Sequence, residues 1–163
     1  MTSQQLTIRE SVGRVNARAL LARLAATPAG WSPFALRVGL GVMLLPHGLQ
    51  KAFGWFGGYG FSATAEALAG MGIGLPLAWV VILTELLAPI ALLLGAGTRV
   101  AAFGVGVLMA VAATFHFGNG FFMNWSGAQA GEGFEFHLLA VSMAVALVLR
   151  GGGSASVDRR LAA

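Results

Sequence analysis

Long apolar stretches separated by short polar connections form the dominant pattern of this sequence. A membrane-spanning helix needs roughly 17–25 mainly apolar residues, and four stretches approach or exceed that length. They cover residues 34–53, 75–95, 99–118 and 135–150, the last being short unless it begins near Phe134. Because the connections are short, successive helices run antiparallel. The pattern predicts an all-α integral membrane protein built as a four-helix up-down bundle.

The composition supports a membrane protein. Of the 163 residues, 57% are hydrophobic and 10% are charged, whereas soluble domains have about 25% charged residues. The length suits one domain. The chain contains no cysteine, which excludes disulfide exchange, thiolate metal sites and thiol nucleophiles within it.

The basic residues indicate how the bundle is oriented. Of the ten lysines and arginines, all except Lys51 fall on one side of the predicted bundle: Arg9, Arg14, Arg18, Arg23, Arg37, Arg99, Arg150, Arg159 and Arg160. The positive-inside rule places that side and both termini in the cytoplasm, and loops 54–74 and 119–134 outside. These arginines flank spans instead of forming a patch on a soluble fold, so no nucleic-acid partner is predicted.

Residues 1–30 form a basic segment ahead of the domain predicted over 31–163. Apolar residues recur in it at helical spacing opposite arginines: Ile8, Val12, Val15, Ala19 and Leu20 against Arg9, Arg14 and Arg18. This pattern suits an N-terminal amphipathic helix on the anionic inner leaflet, with membrane lipid as its partner. A basic tail that serves only to set the topology explains the pattern equally well.

Both predicted outer loops are rich in glycine and aromatic residues. Trp and Tyr favour the headgroup level of a bilayer, so an interfacial belt explains most of these aromatics. The stretch "SATAEALAGMG", residues 62–72, combines helix formers with terminal glycines and predicts a short surface helix in the first outer loop.

The ionisable side chains inside the predicted spans are few. Such residues are costly in a membrane and usually face the bundle interior, a cavity or a partner. Glu85 lies near the middle of the second span. The others lie in the outer third of the bilayer: His47, Lys51, His116, Glu135 and His137. His47 and Lys51 are one helical turn apart and share a face. This one-sided distribution indicates a polar site in the outer half of the bundle.

Two prolines fall next to these groups. Pro46 removes the helical partner of the Val42 carbonyl, and Pro89 does the same to the carbonyl of Glu85. Kinks at these positions are expected to open a small polar-lined cavity, with His47 turning inward.

Simpler explanations remain open for each group. Lys51 can snorkel to the outer interface, and Glu135 can complement the helix dipole at the start of the fourth span. Glu85 can form a structural ion pair with Arg37, His47 or Lys51. His47, His116 and His137 show no recognisable ligand spacing, so neither haem nor another metal is indicated.

Five segments in order carry a family resemblance: "HGLQKAFG" at 47–54, "TELLAPIALLLGAGTRVAA" at 84–102, "NGFF" at 119–122, "GEGFEFHLLA" at 131–140 and "GGGSASVDRRL" at 151–161. They resemble the successive motifs of the DoxX family over roughly residues 34–161. The resemblance implies a small four-helix protein of the bacterial inner (plasma) membrane, linked to quinol oxidase or thiosulfate:quinone oxidoreductase systems. The family positions carried over are His47, Lys51, Glu85, Arg99, Glu135 and Asp158.

Residues and resemblance together suggest a quinone head group as ligand. His47 would be its first hydrogen-bond partner, Lys51 would stabilise its reduced anionic form, and Glu85 would relay protons. Glu135, His137 and His116 are further ligand-contacting candidates. The resulting hypothesis is a subunit associated with a quinone-linked oxidoreductase. The alternative is a non-catalytic scaffold that holds redox or respiratory complex subunits together.

Overall fold

The computed structural model describes residues 19, 20, 22 and 24–162. This part of the chain is helical and contains no strand. Six α-helices have defined bounds: α1 Trp31–Phe53, α2 Gly60–Gly70, α3 Leu75–Leu94, α4 Thr98–His116, α5 Glu135–Arg150 and α6 Val157–Ala162. Short 3-10 turns, Trp55–Gly57 and Phe117–Asn119, follow α1 and α4. Most of the predicted N-terminal amphipathic helix lies outside the described residues.

The four predicted apolar helices are confirmed as α1, α3, α4 and α5, and the short helix of the first predicted outer loop is confirmed as α2. Two helical segments of the described chain, Leu75–Leu94 and Thr98–Asn119, are long and apolar enough to cross a membrane. The first helix is more polar because it contains Arg37, His47 and Lys51, and α5 has 16 residues. The fold therefore contains two candidate spans by length and composition.

Helices α1, α3, α4 and α5 surround one core. Helix α1 packs mainly on α3 and also on α5, and α4 packs mainly on α5 and also on α3, so each of the four has two neighbours. The core between them consists of small and branched apolar side chains, among them Leu40, Leu92, Val105, Ala140 and Leu147. Helix α2 lies across α1 and α3 at one end of the bundle, which we call the α2 end.

Two glycines let α1 approach α3 closely. A Cβ atom at Gly48 would lie 2.3 Å from the carbonyl oxygen of Glu85, and one at Gly41 would lie 3.1 Å from that of Pro89. Pro89 has no N–H to offer the Glu85 carbonyl, and the backbone of α1 covers this free oxygen at Gly48. A larger residue at Gly48 would force the two helices apart.

The opposite end, which we call the Arg37 end, is organised by one buried guanidinium. Arg37 has no exposed surface. It donates hydrogen bonds to the carbonyls of Leu92 and Leu93, where α3 ends, and to three carbonyls between α5 and α6: Gly152, Ser154 and Ala155. The last turn of a helix leaves its carbonyls without helical partners, so Arg37 satisfies α3 and the C-terminal segment together.

Asp158 of α6 makes a second set of hydrogen bonds at the Arg37 end. Its carboxylate accepts hydrogen bonds from the backbone N–H groups of Gly97 and Thr98, at 2.6 and 2.8 Å. These donors belong to the start of α4, where N–H groups lack helical partners and the helix dipole favours negative charge. Helix α6 is thereby attached to the α3–α4 connection.

Replacing Arg37 by glutamine is expected to lower the free energy of unfolding in detergent by about 3–5 kcal/mol, because several buried carbonyls lose their donor. Thermal unfolding of the purified protein measures the loss. The matched control is Arg159→Gln, which removes an equal charge from an exposed position and should change stability by less than about 0.5 kcal/mol. Equal effects of the two substitutions would contradict the assignment.

Candidate functional site

The candidate site contains an ion pair between α1 and α3. The Lys51 ammonium lies 2.6 Å from Oε1 of Glu85 and also contacts Oε2. The Glu85 side chain is 5% exposed and that of Lys51 is 37% exposed. A carboxylate buried to this extent needs a partner. Of the three partners considered from the sequence, the structure selects Lys51.

The direction of Lys51 follows from the packing of α1. Arg37, Leu44 and Lys51 are spaced by seven residues, two helical turns, so they lie on the stripe that α1 turns towards its neighbours. Gly48 sits on the backbone of Glu85, and Lys51 lies almost one turn beyond it. The lysine bends back along α3 to the carboxylate. Lys51 is thus held by Glu85 and does not extend away from the bundle.

His47 does not join the pair. Its side chain is exposed, whereas the neighbouring Gly48 is buried. The expectation that His47 turns inward is therefore wrong. The buried stripe of α1 passes through Leu44 and Gly48, and His47 lies on its flank, a position that the one-turn spacing from Lys51 could not reveal.

A cavity of about 490 Å³ lies beside the ion pair, between α3 and α4. Leu68 and Met71 cover it at the α2 end. Its walls are mostly aliphatic and aromatic, and four polar side chains line it: Lys51, Thr84, Glu85 and His116. An apolar cavity with a few convergent polar groups is the usual form of a small-molecule site.

His116 and His137 meet at the α2 end of the bundle. Their ring centroids are 4.5 Å apart, and the planes are inclined by 31°. The Nδ1–H of His116 donates to the Glu132 carbonyl at 2.9 Å. His137 is 8% exposed, and its Nδ1 has no hydrogen-bond partner among the described residues. Only His116 of the two lines the cavity.

Glu135 serves the loop between α4 and α5. Its Oε1 accepts hydrogen bonds from the backbone N–H of Met123 and the indole N–H of Trp125, at 3.0 and 3.2 Å. Glu132 holds the same loop through the N–H of Asn124 at 2.7 Å. The geometry thus places Glu135 in a loop anchor and outside the cavity lining.

The described residues contain no group of three or more His, Asp or Glu side chains close enough to hold a metal ion. His47 in particular forms no such group with His116 and His137. Stacked imidazoles also present their faces to each other, whereas metal ligation requires their nitrogens to converge.

The structural roles of some residues were not predicted from the sequence. Arg37 was considered for topology and as a partner of Glu85, but not as a donor to backbone carbonyls, although an arginine inside an apolar stretch is itself a signal of a buried partner. Arg99, a family position, donates to the carbonyls of Val148 and Leu149 at the end of α5 and to Ala26. Gly104 and Thr84 gave no sequence signal, because their importance depends on how α3 meets α4.

Comparison with known proteins gives one family. The sequence model of the DoxX family matches residues 32–118, which run from the second residue of α1 to just beyond the end of α4 and include both members of the ion pair. The resembling segments at 131–140 and 151–161 lie beyond this match. Neither the curated proteins nor the solved structures provide a significant match.

A double-mutant cycle tests the ion pair. Lys51→Met should lower the free energy of unfolding by about 3–5 kcal/mol, because the Glu85 carboxylate stays buried without its partner. Adding Glu85→Met should restore most of that loss, since two apolar side chains replace the pair. Thermal unfolding of the four proteins provides the coupling energy, expected to exceed about 1 kcal/mol. Additive losses would mean that the two charges do not interact.

Proposed function

The chain belongs to the DoxX family, whose members are membrane proteins of loosely quinone- and redox-associated function, and from this premise we propose that it is a membrane subunit of a quinone-linked oxidoreductase system. The proposal assigns the head group of a quinone to the cavity between α3 and α4. The observation that carries it is the Lys51–Glu85 pair on the wall of an otherwise apolar cavity.

The chemistry of the cavity suits such a head group. A quinone has two oxygens that accept hydrogen bonds, and its reduced form carries hydroxyl groups or negative charge. The Lys51 ammonium is a donor that favours a negatively charged oxygen, and the Glu85 carboxylate accepts from a hydroxyl and can hold a proton. Apolar walls exclude water from the ring and strengthen both interactions.

His116, and not His47, is the histidine in the wall of the cavity. It lines the same cavity near the α2 end, and its Nδ1 donates to a backbone carbonyl. In the neutral ring this fixes Nε2 as an acceptor. We assign to His116 the exchange of protons between the cavity and the loop side of the bundle.

The proposal also includes location and topology. We place the protein in the bacterial inner membrane with α1, α3, α4 and α5 as four spans and both termini cytoplasmic. The two candidate spans, the charge distribution and family membership support this arrangement. The Arg37 end is then cytoplasmic, and the α2 end faces outwards.

A scaffold role is the second candidate, and one observation favours it. Both oxygens of Glu85 are engaged by Lys51, so the pair is satisfied within the protein itself. Under this alternative the pair fixes α1 on α3, and the protein holds a partner redox subunit without binding quinone.

Titration of the purified protein with decylubiquinone in nanodiscs separates the two roles. Quinone binding predicts saturable binding that Glu85→Gln and Lys51→Met each weaken by about ten-fold or more, the effect of losing a charged hydrogen-bond partner. His47→Ala is the matched control on the exposed flank of α1 and should leave binding unchanged. Absence of saturable binding to the wild-type protein would favour the scaffold.

The topology can be read from single cysteines, because the chain has none of its own. Ser62→Cys in α2 and Ser126→Cys in the second loop are exposed positions. Both should react with a membrane-impermeant maleimide added to intact spheroplasts. Ala162→Cys in α6 should react after permeabilisation. Labelling of Ala162→Cys in intact spheroplasts would contradict cytoplasmic placement of the C-terminal helix.

A further inference from the structure

The cavity opens sideways, between two helices. Four of its lining residues on α4 are spaced by one helical turn: Phe103, Val107, Val111 and Phe115, with 64%, 48%, 50% and 47% of their surface exposed. Across the opening, Leu77 and Val80 of α3 are each 57% exposed. These residues form two apolar lips. In the proposed membrane arrangement the lips contact hydrocarbon, so an occupant arrives from the bilayer.

The back wall of the cavity comes from the adjacent stripe of α4, Gly104, Leu108 and Ala112. Gly104 has no need of glycine for its backbone, since it lies within the regular helix. Glycine in a helix interior destabilises the helix relative to alanine. What Gly104 provides is room.

That room lies next to the ion pair. A Cβ atom at Gly104 would meet the Cγ2 methyl of Thr84 at 3.3 Å, and Thr84 directly precedes Glu85. No other atom outside its own helix would come within 4 Å of this Cβ. Gly104 therefore differs from Gly48, where a backbone of another helix fills the space. The space that a side chain at Gly104 would occupy is part of the cavity.

We propose that Gly104 is a specificity-determining residue: it sets the size of the head group that enters between the lips and reaches Lys51 and Glu85. The ligand class is an amphiphile with a compact, ring-shaped polar head and a hydrocarbon tail that leaves through the lips. This inference rests on the proposed quinone function and adds that the head group is selected by its size.

Pairs of ligands with one tail and different heads test the inference. The probes are 2-decyl-1,4-benzoquinone, with one ring, and 2-decyl-1,4-naphthoquinone, with two fused rings, each titrated into wild-type and variant protein in nanodiscs. Gly104→Val should weaken naphthoquinone binding by about ten-fold or more while changing benzoquinone binding by less than about three-fold, because added methyl groups exclude the larger head.

Two further variants separate lost room from damaged packing. Gly106→Ala is the matched control: its Cβ would face Ala144 of α5 at 3.4 Å and should leave both affinities unchanged. Gly104→Ala combined with Thr84→Ser removes the methyl that the new Cβ meets. Because this pair exchanges one methyl for another and keeps the room, it should bind both heads within about three-fold of the wild type, whereas Gly104→Ala alone should weaken naphthoquinone binding more than benzoquinone binding.

The outcomes distinguish the two proposals. Equal losses for both heads in Gly104→Val, or no loss for either, would overturn the assignment of Gly104 while leaving the quinone site in place. Discrimination at Gly104 together with unchanged binding in Glu85→Gln and Lys51→Met would support the size filter and overturn the role of the ion pair. Absence of binding to wild-type protein would overturn both.

Discussion

The contact between the backbone of α1 at Gly48 and the carbonyl of Glu85 is the constraint on which the site depends. Pro89 leaves that carbonyl without an N–H partner, and the absence of a side chain at Gly48 allows α1 to cover it. The same approach brings Lys51 within reach of the carboxylate. One face of α1 thus covers the backbone carbonyl of Glu85 and pairs with its carboxylate, and the cavity lies beside this ion pair, between α3 and α4.

Much of the fold could be predicted because long apolar runs leave few alternatives. The ends of α1, α3, α4 and α5 agree with the predicted stretches to within three residues. An ion pair was considered for Glu85, and Lys51 was among its three possible partners. These inferences required only the position of each residue within its predicted span and the free-energy cost of burying a charge.

The remaining features depend on how each helix is rotated about its axis and on which side chains of neighbouring helices meet. A single sequence does not specify either. His47 and Lys51 share a face by spacing, yet the stripe through Gly41 and Gly48 decides which of them meets α3. His116 and His137 are 21 positions apart, and their stacking requires the loop between α4 and α5 to fold back. The importance of Gly104 depends on how closely it faces Thr84, which belongs to another helix.

The hydrogen bonds of Arg37 also constrain how the protein is made. The arginine belongs to the first long helix, but three of its five carbonyl partners lie 115 to 118 positions later in the chain. During synthesis the Arg37 guanidinium therefore lacks three of its partners until residues 152–155 have been made. The Arg37 end therefore cannot be completed until the segment between α5 and α6 has docked on α1.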